Sequence, residues 1–321
     1  MATRALSIGL LCAFMFGTGC RGQNQHTNSV GAAVGSSAQS TQVYALAKND
    51  LSFIYLKPAG SKTAHRLSTR IKGWETEPTL SPSGKLVAYA LADGPKAKSE
   101  VWISKIDGSH AHRISAPDED ALMPAFAGND HTLLYVKSGF NGHYSPIARP
   151  RRHEFDVMKA TVGPDGPTVG TTPVQLTQQH FFDLRSLSVS PDGKNFLVST
   201  SGYPIGDLIE GFAVSDPLQI KFIYQPHVPS EPSTGPAYGQ AAYIHDGMDI
   251  IFTAATEPTG GGNFDYSIYQ MSAVTGGEIT VLNRHSGMID NLEVGRDGTI
   301  FVSADGKRYI LDSQMHILKQ I

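Results

Sequence analysis

The residues of this sequence that could bind a metal form two small groups. His110 and His112 are two positions apart, so on a strand both imidazoles would lie on one face. They directly follow the Asp107-Gly108 turn, which favours a solvated hairpin over a metal site. The acidic run Asp118 to Asp120 lacks the regular alternation of a calcium loop, which favours a surface loop. The sequence therefore predicts no metal and no cofactor.

Motifs of nucleophilic and phosphate chemistry are missing from the sequence. The serine elbow Gly-x-Ser-x-Gly of α/β-hydrolases does not occur. The glycine-rich segment 163–172 lacks the lysine with which a phosphate-binding loop reaches its ligand. We therefore predict no catalytic residue, although a missing motif does not by itself exclude an enzyme.

The N-terminus, residues 1–20, has the layout of a signal peptide. Arg4 supplies a positive start, and the apolar run from Ala5 to Phe16 is too short to span a membrane, which takes roughly twenty helical residues. The small residues before Cys20 resemble the lipobox of bacterial lipoproteins, although Gly17 replaces the usual leucine. We expect lipidation at Cys20, with plain secretion and loss of Cys20 as the alternative.

Composition limits the compartment and the partners. The only cysteines are Cys12 and Cys20, so the chain that remains after processing cannot hold an internal disulfide. A net charge of −3 gives no basic footprint, and nucleic acid is not an expected partner. Residues 21–40 are polar, small and without a period, as in a flexible tether. We predict a periplasmic or cell-surface protein that contacts the membrane through a lipid anchor only.

From Gln42 onward the sequence alternates between short strand-like runs and turns. The runs are β-branched or alternating, with no long stretch at helical spacing, which predicts an all-β domain. A Ser-Pro-Asp-Gly type of turn recurs about every fifty residues, as expected for a repeating four-stranded sheet. The copies are Ser81–Lys85, Ser190–Lys194, His245–Gly247, Arg296–Gly298 and the degenerate Gly128–Asp130.

The repeat resembles that of TolB-type β-propellers. The segments that carry the resemblance are Pro78 to Lys85, Val101 to Gly108 and Arg113 to Ser115. It implies that residues 41–321 form a single β-propeller, most simply of six blades with four antiparallel strands each, and seven blades are the alternative. In such a blade, with strands a to d, the a–b and c–d turns lie on one face of the ring. We call this the turn face, and the opposite face, with the b–c and d–a connections, the insertion face.

The longest insertions fall on the insertion face and carry aromatic and arginine residues, which are enriched at protein interfaces. We therefore predict that this face binds an envelope protein or peptide. The predicted partner-binding residues are Tyr144, Arg149, Arg151, Arg152, His153, Tyr203, Asp207, Phe264 and Asp265.

A second candidate site follows from aligning the repeats on their turn glycines. This alignment places polar residues at one inner-strand position, where they would line the mouth of the central channel and hold either water or a small polar ligand. The predicted channel-mouth residues are Glu77, Arg185, Ser186, Gln240, Asp290 and Asn291.

These observations favour a non-catalytic binding or scaffolding propeller of the cell envelope. The alternative is a propeller lyase or hydrolase that acts on envelope carbohydrate or peptide, because fold resemblance does not transfer function.

Overall fold

The computed structural model describes most of the chain from Thr41 to Gln320. The described ranges are 41–48, 51–67, 73–143, 145, 149–163, 172–201, 207–224, 238–244, 247–260, 263–275, 280–285, 287, 289–295, 298–304, 307–311 and 317–320.

The described strands fall into six groups, which we number as blades 1 to 6 in chain order. Blade 1 contains β1 Gln42–Lys48, β2 Leu51–Lys57 and β3 His65–Arg66. Blade 2 contains β4 Trp74–Leu80, β5 Leu86–Ala92, β6 Ser99–Lys105 and β7 His112–Arg113. Blade 3 contains β8 Asp120–Phe126, β9 Thr132–Gly142, β10 Arg151–Thr161 and β11 Val174–Gln175.

The later blades repeat the same order. Blade 4 contains β12 Asp183–Val189, β13 Asn195–Ser201, β14 Leu208–Ala213 and β15 Asp216–Tyr224. Blade 5 contains β16 Tyr238–Ile244, β17 Asp249–Gly260, β18 Asn263–Ser272 and β19 Thr280–His285. Blade 6 contains β20 Ile289–Val294, β21 Ile300–Ala304, β22 Lys307–Leu311 and β23 Ile317–Gln320.

Within blades 2 to 6 the four strands pair in chain order and antiparallel. Blades 1 and 2 join into one seven-stranded sheet through a parallel bridge between Ser52 and Trp74. The all-β fold with sheets arranged as a propeller confirms the predicted fold class. The number of blades in the complete ring stays a prediction.

The core lies between consecutive blades because each sheet presents one face to either neighbour. Every residue of β5 is buried, as expected for a strand covered on both faces. Val87 and Tyr89 pack toward blade 1, whereas Ala88 packs against Leu133 of blade 3. Five such interblade clusters occur among the described residues, so packing between blades rather than within them supplies the apolar burial.

On the turn face, the turns of blades 3 and 4 pack closely against each other at Gly128 and Gly193. Gly128 and Gly193 have φ angles of 70° and 71°, the left-handed region that favours glycine. A Cβ atom on Gly193 would come within 2.5 Å of the carbonyl oxygen of Ala127 in the neighbouring blade. The glycines therefore shape their own turns and also permit the close approach of blades 3 and 4.

The first strand of each of blades 2 to 6 contains a register shift relative to the second strand. Glu77 and Met123, which lie at two of these points, have positive φ angles of 51° and 52°. Such bulges re-aim side chains and increase local twist. The register shifts lie at Thr76/Thr79, Leu122/Ala125, Leu184/Ser186, Tyr238/Ala241 and Ile289/Asn291.

The first and last blades lie beside each other. Burial raises the pKa of Tyr44 on β1, and the positive charge of Arg308 on β22 opposes that rise. Burial lowers the pKa of Arg308, against the charges of Glu293 and Tyr44. The mutual influence of these two charges indicates that β1 and β22 lie near each other, as a closed ring requires.

Two insertions form extended strands, and one expectation about a surface loop was wrong. The insertions between the second and third strands of blades 3 and 5 are largely extended hairpins, because β9 runs to Gly142, β10 begins at Arg151, and β17 and β18 enclose only residues 261–262. Asp120, expected in a surface loop, is a strand residue that is 4% exposed. Within the described ranges, no helix is long and apolar enough to cross a membrane.

Candidate functional site

A cleft opens between blades 2 and 3 at the insertion face. Its walls come from the beginning of β4, the connection between β5 and β6, and the facing strands β8 and β10. The residues that carry its chemistry are Trp74, Thr76, Glu77, Ser99, Leu122 and Arg152. Because these residues lie on strands or at strand ends, the sheet geometry fixes their positions.

An ion pair between Arg152 and Asp120 forms one wall of the cleft. The Nε atom of Arg152 donates to Oδ2 of Asp120 at 2.9 Å, and Nη2 lies 2.9 Å from Oδ1. Nη2 also donates to the carbonyl oxygen of Ala97 and to Oγ of Ser99. Such a bidentate pair is geometrically specific. Arg152 thus links the β5–β6 connection to blade 3, and most of its hydrogen bonds stabilise the fold.

Glu77 forms the floor between the two blades. Its Oε2 atom accepts a hydrogen bond from the backbone N–H of Met123 at 2.7 Å. Burial raises the pKa of Glu77, and the Met123 N–H and the Arg152 charge only partly oppose that rise. The neutral carboxyl group is therefore favoured more than in water.

A row of alternating charges continues from the cleft across blades 3 and 4. Arg151 Nη1 lies 4.0 Å from Oδ2 of Asp183, and Arg185 lies 3.9 Å from the same carboxylate oxygen. Arg185 Nη1 is 3.7 Å from Oδ2 of Asp207, which accepts a 2.7 Å hydrogen bond from the Tyr238 N–H. We call Arg151, Asp183, Arg185 and Asp207 the charged row.

Burial and charge distinguish the members of the charged row. The side chain of Arg151 is 49% exposed and lies 5.6 Å from the Phe182 ring centroid, within cation–π range. Burial raises the pKa of Asp207, against the Arg185 charge and the Tyr238 N–H, which lower it. The row therefore presents its guanidinium groups to solvent while Asp207 anchors it to blade 5.

His153, which was predicted to contact a partner, lies beneath the surface. His153 is 3% exposed, and its ring lies between those of Phe140 and Phe182, with centroids 6.2 and 4.6 Å away. Its Nδ1 atom lies 3.0 Å from the carbonyl oxygen of Phe182. This residue lies on the inward face of the extended β9–β10 hairpin, so its ring packs beneath the surface.

The other predicted partner-binding residues are distributed over the insertion face. Arg149 is exposed beside β10. Asp265 accepts a 3.0 Å hydrogen bond from the Gly287 N–H, so it ties β18 to the segment before β20. Tyr144, Tyr203 and the side chain of Phe264 lie outside the described residues, as does Cys20.

Three of the predicted channel-mouth residues accept hydrogen bonds from backbone N–H groups of the next blade. Glu77 accepts from Met123, Ser186 Oγ accepts from the Ala241 N–H at 3.0 Å, and Gln240 Oε1 accepts from the Leu292 N–H. Asn291 is 8% exposed and donates to Glu293 in its own strand. The side chain of Asp290 is not described. Equivalent positions thus supply a recurring polar tie between neighbouring blades.

Sequence reasoning missed Trp74 and misplaced Asp120. Asp120 stands eight positions before Gly128, as Arg185 stands eight positions before Gly193, so aligning the degenerate turn would have revealed it. Trp74 has no such signal. The position of Trp74 depends on Gly73. An added Cβ on Gly73 would lie 2.7 Å from the Ala92 carbonyl oxygen, so glycine allows the start of β4 to pack closely against the end of β5.

Comparisons with known proteins establish the fold class. No family model matches the sequence, and a search of curated proteins finds no match. Among solved structures, TolB from Acinetobacter baumannii aligns with a TM-score of 0.62 and 12% identity, over 89% of this chain and 64% of that one. The chain is therefore an all-β propeller. Its propeller resembles that of TolB in architecture.

Propellers of enzymes are also similar in structure. An oligogalacturonate lyase from Vibrio parahaemolyticus aligns with a TM-score of 0.56 and 12% identity, over 91% of this chain and 78% of that one. A puromycin-hydrolyzing peptidase from Mycobacterium tuberculosis aligns with a TM-score of 0.51 and 14% identity, over 82% of this chain and 40% of that one. At these identities the likeness defines the fold and leaves the activity to the site.

Proposed function

We propose that this chain is a binding propeller of the cell envelope that recognises a protein or peptide partner through the charged row on its insertion face. The main observation behind the proposal is that the Arg185 guanidinium group makes no short hydrogen bond to a described residue. Its side chain is 31% exposed and contacts carboxylate oxygens only at 3.7 and 3.9 Å, too long for hydrogen bonds. Among the described residues, the guanidinium group is therefore held in place with its donors unused.

The surroundings of Arg185 support a partner rich in hydrogen-bond acceptors. Arg151 lies on the other side of the shared Asp183 and above Phe182, so two guanidinium groups and one aromatic ring share one surface. Arginine and aromatic residues are the types that most often dominate binding energy at interfaces. A peptide segment that offers carboxylate or backbone carbonyl oxygens is the partner that fits this surface.

The cell-envelope location rests on the N-terminal sequence. The positive start, the short apolar run and the small residues before Cys20 support export followed by lipidation. The polar segment 21–40 supports a tether that would hold the propeller away from a membrane surface. In this proposal the insertion face is presented to other envelope proteins.

A lyase or hydrolase is the second candidate function, and the raised pKa of Glu77 is the observation that favours it. General acid catalysis needs such a carboxyl group, but glycoside hydrolysis normally uses two. Asp120, the neighbouring carboxylate, is 4% exposed and occupied by Arg152 and by the Ser99 N–H. The cleft therefore supplies one available carboxyl group among the described residues, which favours binding over hydrolysis.

Affinity capture followed by measured binding tests the proposal. The full chain, tagged and purified from membranes, is used to recover proteins from envelope extract, and the recovered partner is then purified. We expect the double variant Arg151→Ala, Arg185→Ala to weaken binding of that partner by about thirtyfold, as truncation of interface hot spots typically does.

The control is Lys194→Ala, which removes a cation that is 80% exposed on the turn face. We expect it to bind the partner as the unmodified chain does. If the double variant binds normally while Lys194→Ala loses binding, the insertion face is the wrong surface. If the purified chain instead turns over an envelope saccharide or peptide and captures nothing, the enzyme candidate replaces the binding proposal.

A further inference from the structure

Trp74 is a large aromatic side chain that the hydrophobic core does not use. It is half-buried at the cleft between blades 2 and 3 and belongs to none of the five interblade clusters of the described residues. Trp102, the other tryptophan, packs against the cluster between blades 1 and 2 and donates its indole N–H to Glu100 at 2.9 Å. The indole of Trp74 therefore forms a cleft wall rather than part of the packing.

The polar groups around Trp74 nearly cancel in charge. The positive Arg152 is matched by Asp120 in a 2.9 Å ion pair. Burial raises the pKa of Glu77, so its neutral form is favoured more than it would be in water. Among the described residues, Arg152 Nη1 and Glu77 Oε1 keep hydrogen-bonding capacity that no protein group uses. The cleft thus combines an aromatic face with unused donor and acceptor groups and little net charge.

We propose that the cleft lined by Trp74, Thr76, Glu77 and Arg152 binds a neutral saccharide unit. The hydroxyl groups of a sugar ring both donate and accept hydrogen bonds, which suits a guanidinium N–H beside a carboxyl group. The C–H face of the ring carries partial positive charge and packs on the negative face of an indole. The exposed lining of the cleft is more polar than apolar, which suits a ligand rich in hydroxyl groups.

Charged ligands fit this cleft less well. A cation would lie beside the Arg152 guanidinium, and an anion would lie beside Asp120 and Glu77. The charges of Arg152 and Asp120 already offset each other, so a charged ligand would gain little electrostatic attraction in exchange for its lost hydration. The saccharide site is also separate from the charged row that carries the proposed function, so either proposal can fail alone.

Tryptophan fluorescence of the purified full chain provides the test. The Trp102→Phe variant leaves Trp74 as the only tryptophan, so its signal reports on the cleft alone. Maltose, cellobiose and diacetylchitobiose are titrated as neutral probes, with digalacturonate as the acidic probe, glucosamine as the cationic probe and a neutral tripeptide as the peptide probe. We expect at least one neutral disaccharide to give a saturable change with a Kd near or below about 1 mM, and the charged and peptide probes to give none.

Two variants place the signal in the cleft, with affinity measured by calorimetry. Trp74→Ala removes the aromatic wall, and Gly94→Leu adds a side chain where a Cβ would meet no atom within 4 Å, so it narrows the cleft without straining the fold. We expect each to weaken saccharide binding at least about tenfold, while Lys194→Ala leaves it unchanged. Should Trp74→Ala misfold, Gly94→Leu decides the result. The proposal is overturned if no neutral disaccharide binds, if a charged or peptide probe binds more tightly, or if the folded cleft variants bind as the unmodified chain does.

Discussion

Glu77 on the inner strand of blade 2 accepts a 2.7 Å hydrogen bond from the backbone N–H of Met123 on the inner strand of blade 3. The same carboxyl group lines the cleft between these blades. Both residues have positive φ angles, and both lie at the bulges of their strands. One side chain thus joins two blades and shapes the site between them.

The first prediction concerns this tie. We expect Glu77→Ala to lower the free energy of unfolding by about 1–3 kcal/mol, because the Met123 N–H loses its acceptor. Glu77→Gln keeps an acceptor at the same position and should cost less than about 1 kcal/mol. Urea denaturation of both variants measures the difference, and equal stability of the two would show that the tie contributes nothing.

The second prediction is a pH dependence that originates at Glu210. This residue on β14 is 6% exposed, and burial raises its pKa above the ordinary value of 4.5. Between 4.5 and the raised value the folded state binds more protons than the unfolded state, so Glu210 makes stability fall as pH rises through that window.

Glu210→Gln removes this titration while keeping the side chain nearly the same size. We expect the variant to gain stability over the unmodified chain as pH rises above 4.5, measured by urea denaturation at a series of pH values. Parallel pH profiles for the two proteins would mean that Glu210 does not titrate differently on folding.

The third prediction concerns ring closure. Removal of residues 289–321 deletes β20 to β23 and exposes the apolar cluster that includes Ile251 and Ile268 of blade 5. It also removes Arg308, the neighbour of Tyr44 in blade 1. We expect the shortened chain to aggregate or to be cut rapidly by protease. A monomer with an unchanged melting curve would contradict a closed propeller.

The fourth prediction tests the lipid anchor. Cys20→Ser removes the residue proposed to carry the acyl chains, so we expect the protein to move from the membrane fraction to the soluble fraction. Fractionation after a high-salt wash makes the measurement, with Cys12→Ser as the matched control that should stay with the membrane. Retention of the Cys20→Ser protein on membranes would show that it is held there in another way.

The fold was predictable from sequence because its signals are local and repeated. A turn such as Ser190–Lys194 specifies its own geometry through Pro191 and Gly193, and the Oγ atoms and carboxylates within it complete the turn. Apolar runs such as Phe196–Ser199 are buried because they lie between two blades. Both signals can be recognised from residues that are close in sequence.

The site was only partly predictable because it depends on contacts between blades. Arg151, Arg185 and Asp207 could be named from their insertions and alignment, but Asp183, the carboxylate shared by the two arginines, could not. His153 has the residue type of an interface and is nevertheless buried, since the β9–β10 hairpin extends beyond the expected strand ends. Side-chain alternation in an insertion cannot be assigned before its strands are known.

Photo-crosslinking in intact cells tests the central claim most directly. A photoreactive amino acid replaces Arg151, 49% exposed on the insertion face, or Lys194, 80% exposed on the turn face, and crosslinked products are identified after irradiation. We predict a discrete crosslink to one envelope protein or peptide from position 151 and none from position 194. A crosslink to such a partner from position 194 alone would contradict the assignment of partner binding to the charged row.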